Sequence, residues 1–313
     1  MLKVSIYKYL GVAFGNNGLA ADITASWRME KVSVLTHWLA EKGMNPRGFS
    51  FRTCQQLIHS CIRPSLEYAL PVVPYNDKQI KGLEDALVNA CRRAMGVHKN
   101  TSKNGILKLF QQVPMQQRQK EVSAKWVERT ESNQDMGCLI TVLRRANAEQ
   151  QPCFSLGKAV RHNAVLYDLS LAKNVSVQSL FKEQRQLVWE AIRAKEQIPS
   201  CFAAAWKHNP LCQKTGLNKG IIRALALWRL GKIPGKVSEC PRHPGINLSR
   251  NHIPWCNGML DYRRPLNREE TPNLVDHILN SCFYTLEDRD FSQAALVICY
   301  QLGRIRRQRV EQQ

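Results

Sequence analysis

The run Asp77-Lys-Gln-Ile80-Lys-Gly-Leu83-Glu-Asp-Ala-Leu87-Val-Asn-Ala-Cys91-Arg-Arg-Ala-Met95-Gly96 decides the fold class. Ile80, Leu83, Leu87, Cys91 and Met95 recur three and four residues apart, so they share one stripe of an α-helix and do not alternate as in a strand. Asp77 stands at the entry, and Gly96 sits where a left-handed residue closes a helix. Upstream, Ser50 is placed to cap a second helix carrying Phe51, Cys54, Leu57, Ile58, Cys61 and Ile62, which Pro64 ends or kinks. Further upstream, from Asp22, the residues Ile23, Trp27, Val34, Leu35 and Trp38 keep the same period until Gly43 and Pro46. That pattern predicts a helix with an aromatic face toward the core. Together the three predict a compact helical unit.

Downstream, periodicity and breakers predict helices over 115–131, 134–147, 180–196, 217–231, 272–282 and 289–309. Strands are scarce, with Lys3 to Phe14 the best candidate. Gln150-Gln151-Pro152 marks residues 148–155 as a linker between 1–147 and 156–313. The expected fold is mainly α: a helical bundle, then a helical C-terminal region with a small Cys/His loop.

Composition narrows the partners. The 313 residues hold 45 Lys and Arg against 25 Asp and Glu, a net charge of +20. Both halves carry the excess, so no single tail accounts for it. A surplus of this size repels itself unless a polyanion neutralises it, and nucleic acid is the usual solution. An odd count of 11 cysteines, with no charged-then-apolar leader at Met1, argues against a disulfide framework and for reduced thiols in the cytosol or nucleus rather than a secreted protein. The most apolar window, Ala294 to Tyr300, is far shorter than the roughly 20 residues of a membrane-spanning helix.

One motif points to a metal. Cys240-Pro-Arg-His243 is followed by His252-Ile-Pro-Trp-Cys256, two ligand pairs enclosing a polar, turn-rich loop. Thiolate and imidazole are the preferred donors of zinc, and short-spaced pairs separated by a loop build small tetrahedral sites. Cys240, His243, His252 and Cys256 are the expected ligands of a structural zinc. His277 and Cys282 lie on an apolar pattern with Leu274, Val275 and Ile278 and read as core. Polymerase chemistry needs closely spaced aspartates for two metals. The sequence contains no Asp-Asp pair, and Tyr75-Asn76-Asp77 is explained by the start of a helix. No catalytic magnesium is expected, and nothing orders a Cys-His pair for hydrolysis.

The order of Tyr7-Lys8-Tyr9-Leu10-Gly11-Val12, the Gly15-Asn16-Asn17-Gly18 turn and Ile62-Arg63-Pro64-Ser65-Leu66-Glu67-Tyr68 resembles the segment after the catalytic core of non-LTR (LINE-type) retrotransposon reverse transcriptases. There the palm ends in a Y-L-G strand and the thumb begins. Leu227-Trp228-Arg229-Leu230-Gly231-Lys232-Ile233-Pro234-Gly235 resembles the entry to the C-terminal knuckle of fungal elements of this kind. His243 stands where that knuckle carries cysteine, and Pro254 interrupts the turn before Cys256. The resemblance implies a non-catalytic, palm-less piece whose thumb holds an RNA–DNA hybrid or duplex, alone or beside an intact polymerase or element RNA. Tyr9, Arg63, Arg92, Arg93, Lys99 and Lys103 are its implied nucleic-acid contacts. The alternative is a host-adopted protein-interaction or structural module that does not bind nucleic acid.

Overall fold

The computed structural model describes residues 5–16, 18–73, 75–132, 177–195, 219–232, 239–240, 243–247, 249 and 252. Its described part is mainly helical, as the periodicity predicts. The opening segment is not one strand. Strands β1 (Ile6–Tyr9), β2 (Val12–Gly15) and β3 (Gly18–Leu19) form an antiparallel sheet in that order, with Tyr9 opposite Val12 and Gly15 opposite Gly18. Leu10 and Gly11 both have positive φ, 45° and 77°, which makes the Leu-Gly pair the centre of a type I′ hairpin turn. So Leu-Gly, read as part of a strand, is where the chain reverses: two consecutive left-handed residues match the twist of the flanking strands, and a continuous strand cannot hold them.

Helix α1 (Ala21–Glu41) follows, with Asp22 in its first turn and Gly43 just beyond its end at φ 121°. Helix α2 (Phe51–Leu57) runs into a π-helical turn, Ile58–Ile62, and then α3 (Arg63–Glu67). Pro64 follows the π-turn and does not end the helical run, which continues to Glu67. Helix α4 (Asp77–Met95) starts one residue earlier in capping terms than Asp77 suggests. Asn76 is the N-cap, and its side chain and that of Gln79 exchange hydrogen bonds with each other's backbone N–H in a capping box. Gly96 closes the helix in the left-handed conformation. Helices α5 (Lys103–Leu109), α6 (Met115–Ser132), α7 (Val177–Lys195) and α8 (Lys219–Arg229) complete the helical set, and β4 (Glu239–Cys240) pairs antiparallel with β5 (His243–Asn247). The predicted helices over 134–147, 272–282 and 289–309 and the linker 148–155 lie outside the described residues.

The chain divides into two units. The first gathers Met1–Phe49, Thr53–Lys99 and Gln112–Ile192, and therefore takes in α7; the second gathers Ser50–Arg52, Asn100–Gln111 and Arg193–Gln313. In the first, α1 packs on α4, α3 on α1, and α6 on α4. Ile58, Ile62, Leu66, Leu83, Leu87, Val88 and Cys91 are fully buried in its core. A β-carbon on Gly82 would lie 2.9 Å from Met29 Sδ, so the missing side chain sets how closely α4 approaches α1. In the second unit the rings of Phe51 and Phe110 meet at 5.1 Å with their planes tilted by 52°, and Leu225, Ala226, Trp228 and Leu230 are buried.

Helix α1 departs from its predicted orientation. Its core face is Ala25, Arg28, Val32, Thr36, Leu39 and Ala40, whereas Val34 is 66% exposed and Trp38 53% exposed. Of the stripe that the period assigned to the core, Val34 and Trp38 face outward, and Ile23, Trp27 and Leu35 are half-buried. Small residues allow α4 to come close, and the bulky stripe is left on the other side.

Candidate functional site

Three places in the structure carry chemistry: a groove between β1 and α1, a charge network around Glu67, and the Cys/His cluster on β4–β5.

The groove lies within the first unit and has a volume of about 1070 Å³. Ile6, Lys8 and Leu10 form one wall and Trp27, Lys31, Val34 and Trp38 the other, with Arg28 and Tyr68 between them. Arg28 is only 7% exposed; its Nη2 donates to the Gly11 carbonyl at 2.6 Å and its guanidinium lies 4.4 Å from the Tyr68 ring. A β-carbon on Gly11 would lie 2.5 Å from that Nη2, so glycine serves both the left-handed turn and the approach of Arg28. Arg28 Nε has no hydrogen-bond partner, and among the described residues no carboxylate pairs with this side chain. Burial pushes the Tyr75 hydroxyl up to about 12, against the opposing pull of the Arg28 charge. Lys8 Nζ sits 5.3 Å from the Trp27 ring.

The charge network is the opposite case. Arg118 makes a two-pronged contact with Glu67 at 2.6 and 2.9 Å and reaches Glu121 at 3.1 Å. Arg63 pairs with Glu67 one helical turn away, and Arg185 of α7 closes on both oxygens of Glu121, whose side chain is fully buried. Burial pushes the Glu67 carboxyl up, yet the hydrogen bonds and charges of Arg118 and Arg63 outweigh it and hold the group below the usual carboxylate range. The network ties α3, α6 and α7 together, and Ala124 and Phe181 pack as the apolar part of the α6–α7 contact.

At the cluster, Cys240 Sγ lies 3.7 Å from His243 Nδ1, and that nitrogen lies 3.3 Å from His252 Nε2. The three donor atoms all fall within 4.8 Å of one another. A tetrahedral zinc with bonds of about 2.0–2.3 Å imposes donor separations of roughly 3.3–3.6 Å, so the donor types and the two contacts made by His243 suit a metal. Cys240 and His243 face each other across the β4–β5 pairing, and residues 243–247 of the turn-rich stretch form a strand. Cys256 lies outside the described residues, as do Pro254 and the pair His277 and Cys282. Elsewhere, burial pushes the Cys54 thiol up to about 11 and raises Cys91 further, which makes both inert packing groups.

The implied nucleic-acid contacts are scattered over both units. Tyr9 is 62% exposed at the tip of the hairpin. Arg93 is exposed and donates at 2.8 Å to the Nδ1 of His37, whose Nε2 faces Glu41 at 3.1 Å. Arg92 is half-buried and reaches Asn89, and Lys99 is exposed. Arg63 is committed to Glu67 and only 16% exposed. Lys103 opens α5 in the second unit. Sequence reasoning missed Arg28, Trp27 and Trp38 as groove residues; the clue was Lys31 in the middle of a stripe that a core would not accept.

No family model, no curated protein and no solved structure matches the chain. No helix among the described residues is long and apolar enough to cross a membrane.

Proposed function

We propose that this chain is a non-catalytic nucleic-acid-binding protein, related to the thumb and C-terminal region of non-LTR reverse transcriptases, which grips the backbone of a hybrid or duplex with the α1–α4 surface. The observation that carries this reading is Arg93. It stands exposed on a strongly basic chain and donates to the His37 ring, which separates it from Glu41. Guanidinium groups in this state hold phosphates through paired hydrogen bonds. Tyr9 adds an exposed ring at the hairpin tip. Arg63 contributes through Glu67 to the framework. The absence of an Asp-Asp pair supports a holding role over a polymerising one.

The Cys/His cluster fits structural zinc held by Cys240, His243 and His252, with Cys256 as the fourth ligand. Such an ion supplies folding free energy to the segment around the β4–β5 hairpin.

Titration of a labelled RNA–DNA hybrid tests the reading. Binding should weaken steeply with salt, and Arg92→Glu with Arg93→Glu should lower affinity at least tenfold at unchanged fold. Failure to bind hybrid or duplex at low salt would overturn it. For the metal, cobalt substitution should give a thiolate-to-metal absorption band that Cys240→Ser abolishes. A second reading, a protein-interaction module, is favoured by the outward apolar stripe of α1.

A further inference from the structure

Helix α1 has two apolar faces and the structure covers one of them. The open face, Trp27, Val34 and Trp38 with Lys31 among them, forms a groove with the exposed strand β1. We propose that this groove docks an extended, acidic and apolar segment of a partner protein, which adds as a further strand to the outer edge of β1.

The backbone supplies half of the recognition. Among the described residues β1 is the outer strand of its sheet, and all four of its residues are exposed. Because Tyr9 and Val12 flank a two-residue turn, the antiparallel pattern directs the N–H and C=O of Tyr7 and Tyr9 toward β2 and those of Ile6 and Lys8 away from it. Tyr7 and Tyr9 lie against Phe14, while Ile6 and Lys8 line the groove. An incoming strand therefore meets free backbone groups and the groove on the same residues.

Side chains define the occupant. Leu10 is 69% exposed and held at positive φ, where asparagine or glycine is at ease and leucine is not. A branched apolar side chain kept in that conformation over an apolar groove is suited to a contact surface. Among the described residues no carboxylate pairs with the buried Arg28, and Lys8 and Lys31 line the groove with one acid, Glu30. The site therefore asks for apolar side chains together with a carboxylate that reaches Arg28.

Charge disfavours a second copy of this chain. Two molecules at +20 repel, and antiparallel pairing of two β1 edges would bring their Lys8 residues close together. The peptide edge of β1 and the apolar side chains of Ile6, Leu10 and Val34 suit a polypeptide, and a nucleic-acid strand stacked on the Trp27 and Trp38 rings is the competing occupant that the test separates. This inference rests on the groove alone and is independent of nucleic-acid binding through Arg92 and Arg93.

Selection from a displayed library of random twelve-residue peptides against the full chain provides the test, with Val34→Asp as the counter-selection target. Enriched peptides should alternate apolar residues with Asp or Glu. Binding of such a peptide should slow amide exchange at Ile6 and Lys8 at least tenfold and leave Tyr7 and Tyr9 nearly unchanged. Leu10→Asn, which relaxes the turn and preserves the fold, should weaken it at least tenfold. Replacing the peptide's acids by amides should weaken binding to the natural chain and have little effect on Arg28→Met. No enrichment over Val34→Asp, enrichment of basic peptides, competition by a dodecamer of thymidylate, or dimerisation that buries the groove would each overturn the proposal.

Discussion

Two buried arginine sites in the first unit solve the same problem differently. Around Glu67 and Glu121, the guanidinium groups of Arg63, Arg118 and Arg185 meet carboxylates, several of them bidentately. Arg28, more deeply buried than Arg118, meets a carbonyl and the face of a ring. Removing a charge from water is costly, and a well-placed counter-charge is the main offset. The first site is electrostatically complete, and it holds helices together. The second stays short of an anion at the bottom of an open groove, and that asymmetry separates framework from binding surface.

Four substitutions sharpen the contrast. Glu121→Ala leaves Arg185 without its partner and Arg118 with one of two, and should cost about 3 kcal/mol in urea unfolding; a loss below about 1 kcal/mol would show that the network is not the tie between α6 and α7. Acid should act on the same site. Because the folded Glu67 carboxyl titrates below its ordinary value, its contribution is present above the unfolded value near 4.5 and is lost as pH falls through the depressed folded value. Glu67→Gln should therefore flatten the fall of stability on the acid side and leave the slope at neutral pH unchanged, as unfolding midpoints across pH would report.

On the groove side the effects are smaller, and one is opposite in sign. Leu10→Asn should stabilise by about 1 kcal/mol, since Asn-Gly is the preferred type I′ pair and the strain of a left-handed leucine disappears. Thermal unfolding should show a rise in midpoint; a fall would mean that the Leu10 side chain is packed within the free protein. Arg28→Met should change stability by less than about 1 kcal/mol, because the lost carbonyl and ring contacts are offset by relief of an unpaired buried charge. A cost as large as that of Glu121→Ala would place Arg28 with the framework and remove the distinction.

How much of this was legible depended on the range of the signal. Helix α4 was readable because its stripe, its left-handed Gly96 and its polar entry are all local, though the cap proved to be Asn76. Helix α1 was readable as a helix but not in its orientation. Period says that residues share a face, yet not which of two apolar faces is covered, and Ala25, Thr24 and Thr36 gave no hydrophobic cue to the close packing on α4. The Cys240–His243–His252 cluster was legible from spacing alone, since its donors lie close in sequence. By contrast, Glu67 and Arg118 are 51 residues apart and Glu121 and Arg185 are 64 apart. No local pattern announces such pairs. The groove needed the hairpin turn, and Leu-Gly in place of the usual Asn-Gly concealed it.

The π-helical turn Ile58–Ile62 has its own consequence. A π-turn takes up one more residue than the α-turn it replaces, so α3 keeps the azimuth of a helix one residue shorter. Wound as regular α-helix, the same residues would rotate Arg63 and Glu67 by about 100° and carry the carboxylate away from Arg118. Deleting one residue within Ile58–Ile62 should therefore convert the turn to α-helix and leave the pair in place, so the wide turn acts as the molecule's angular adjuster.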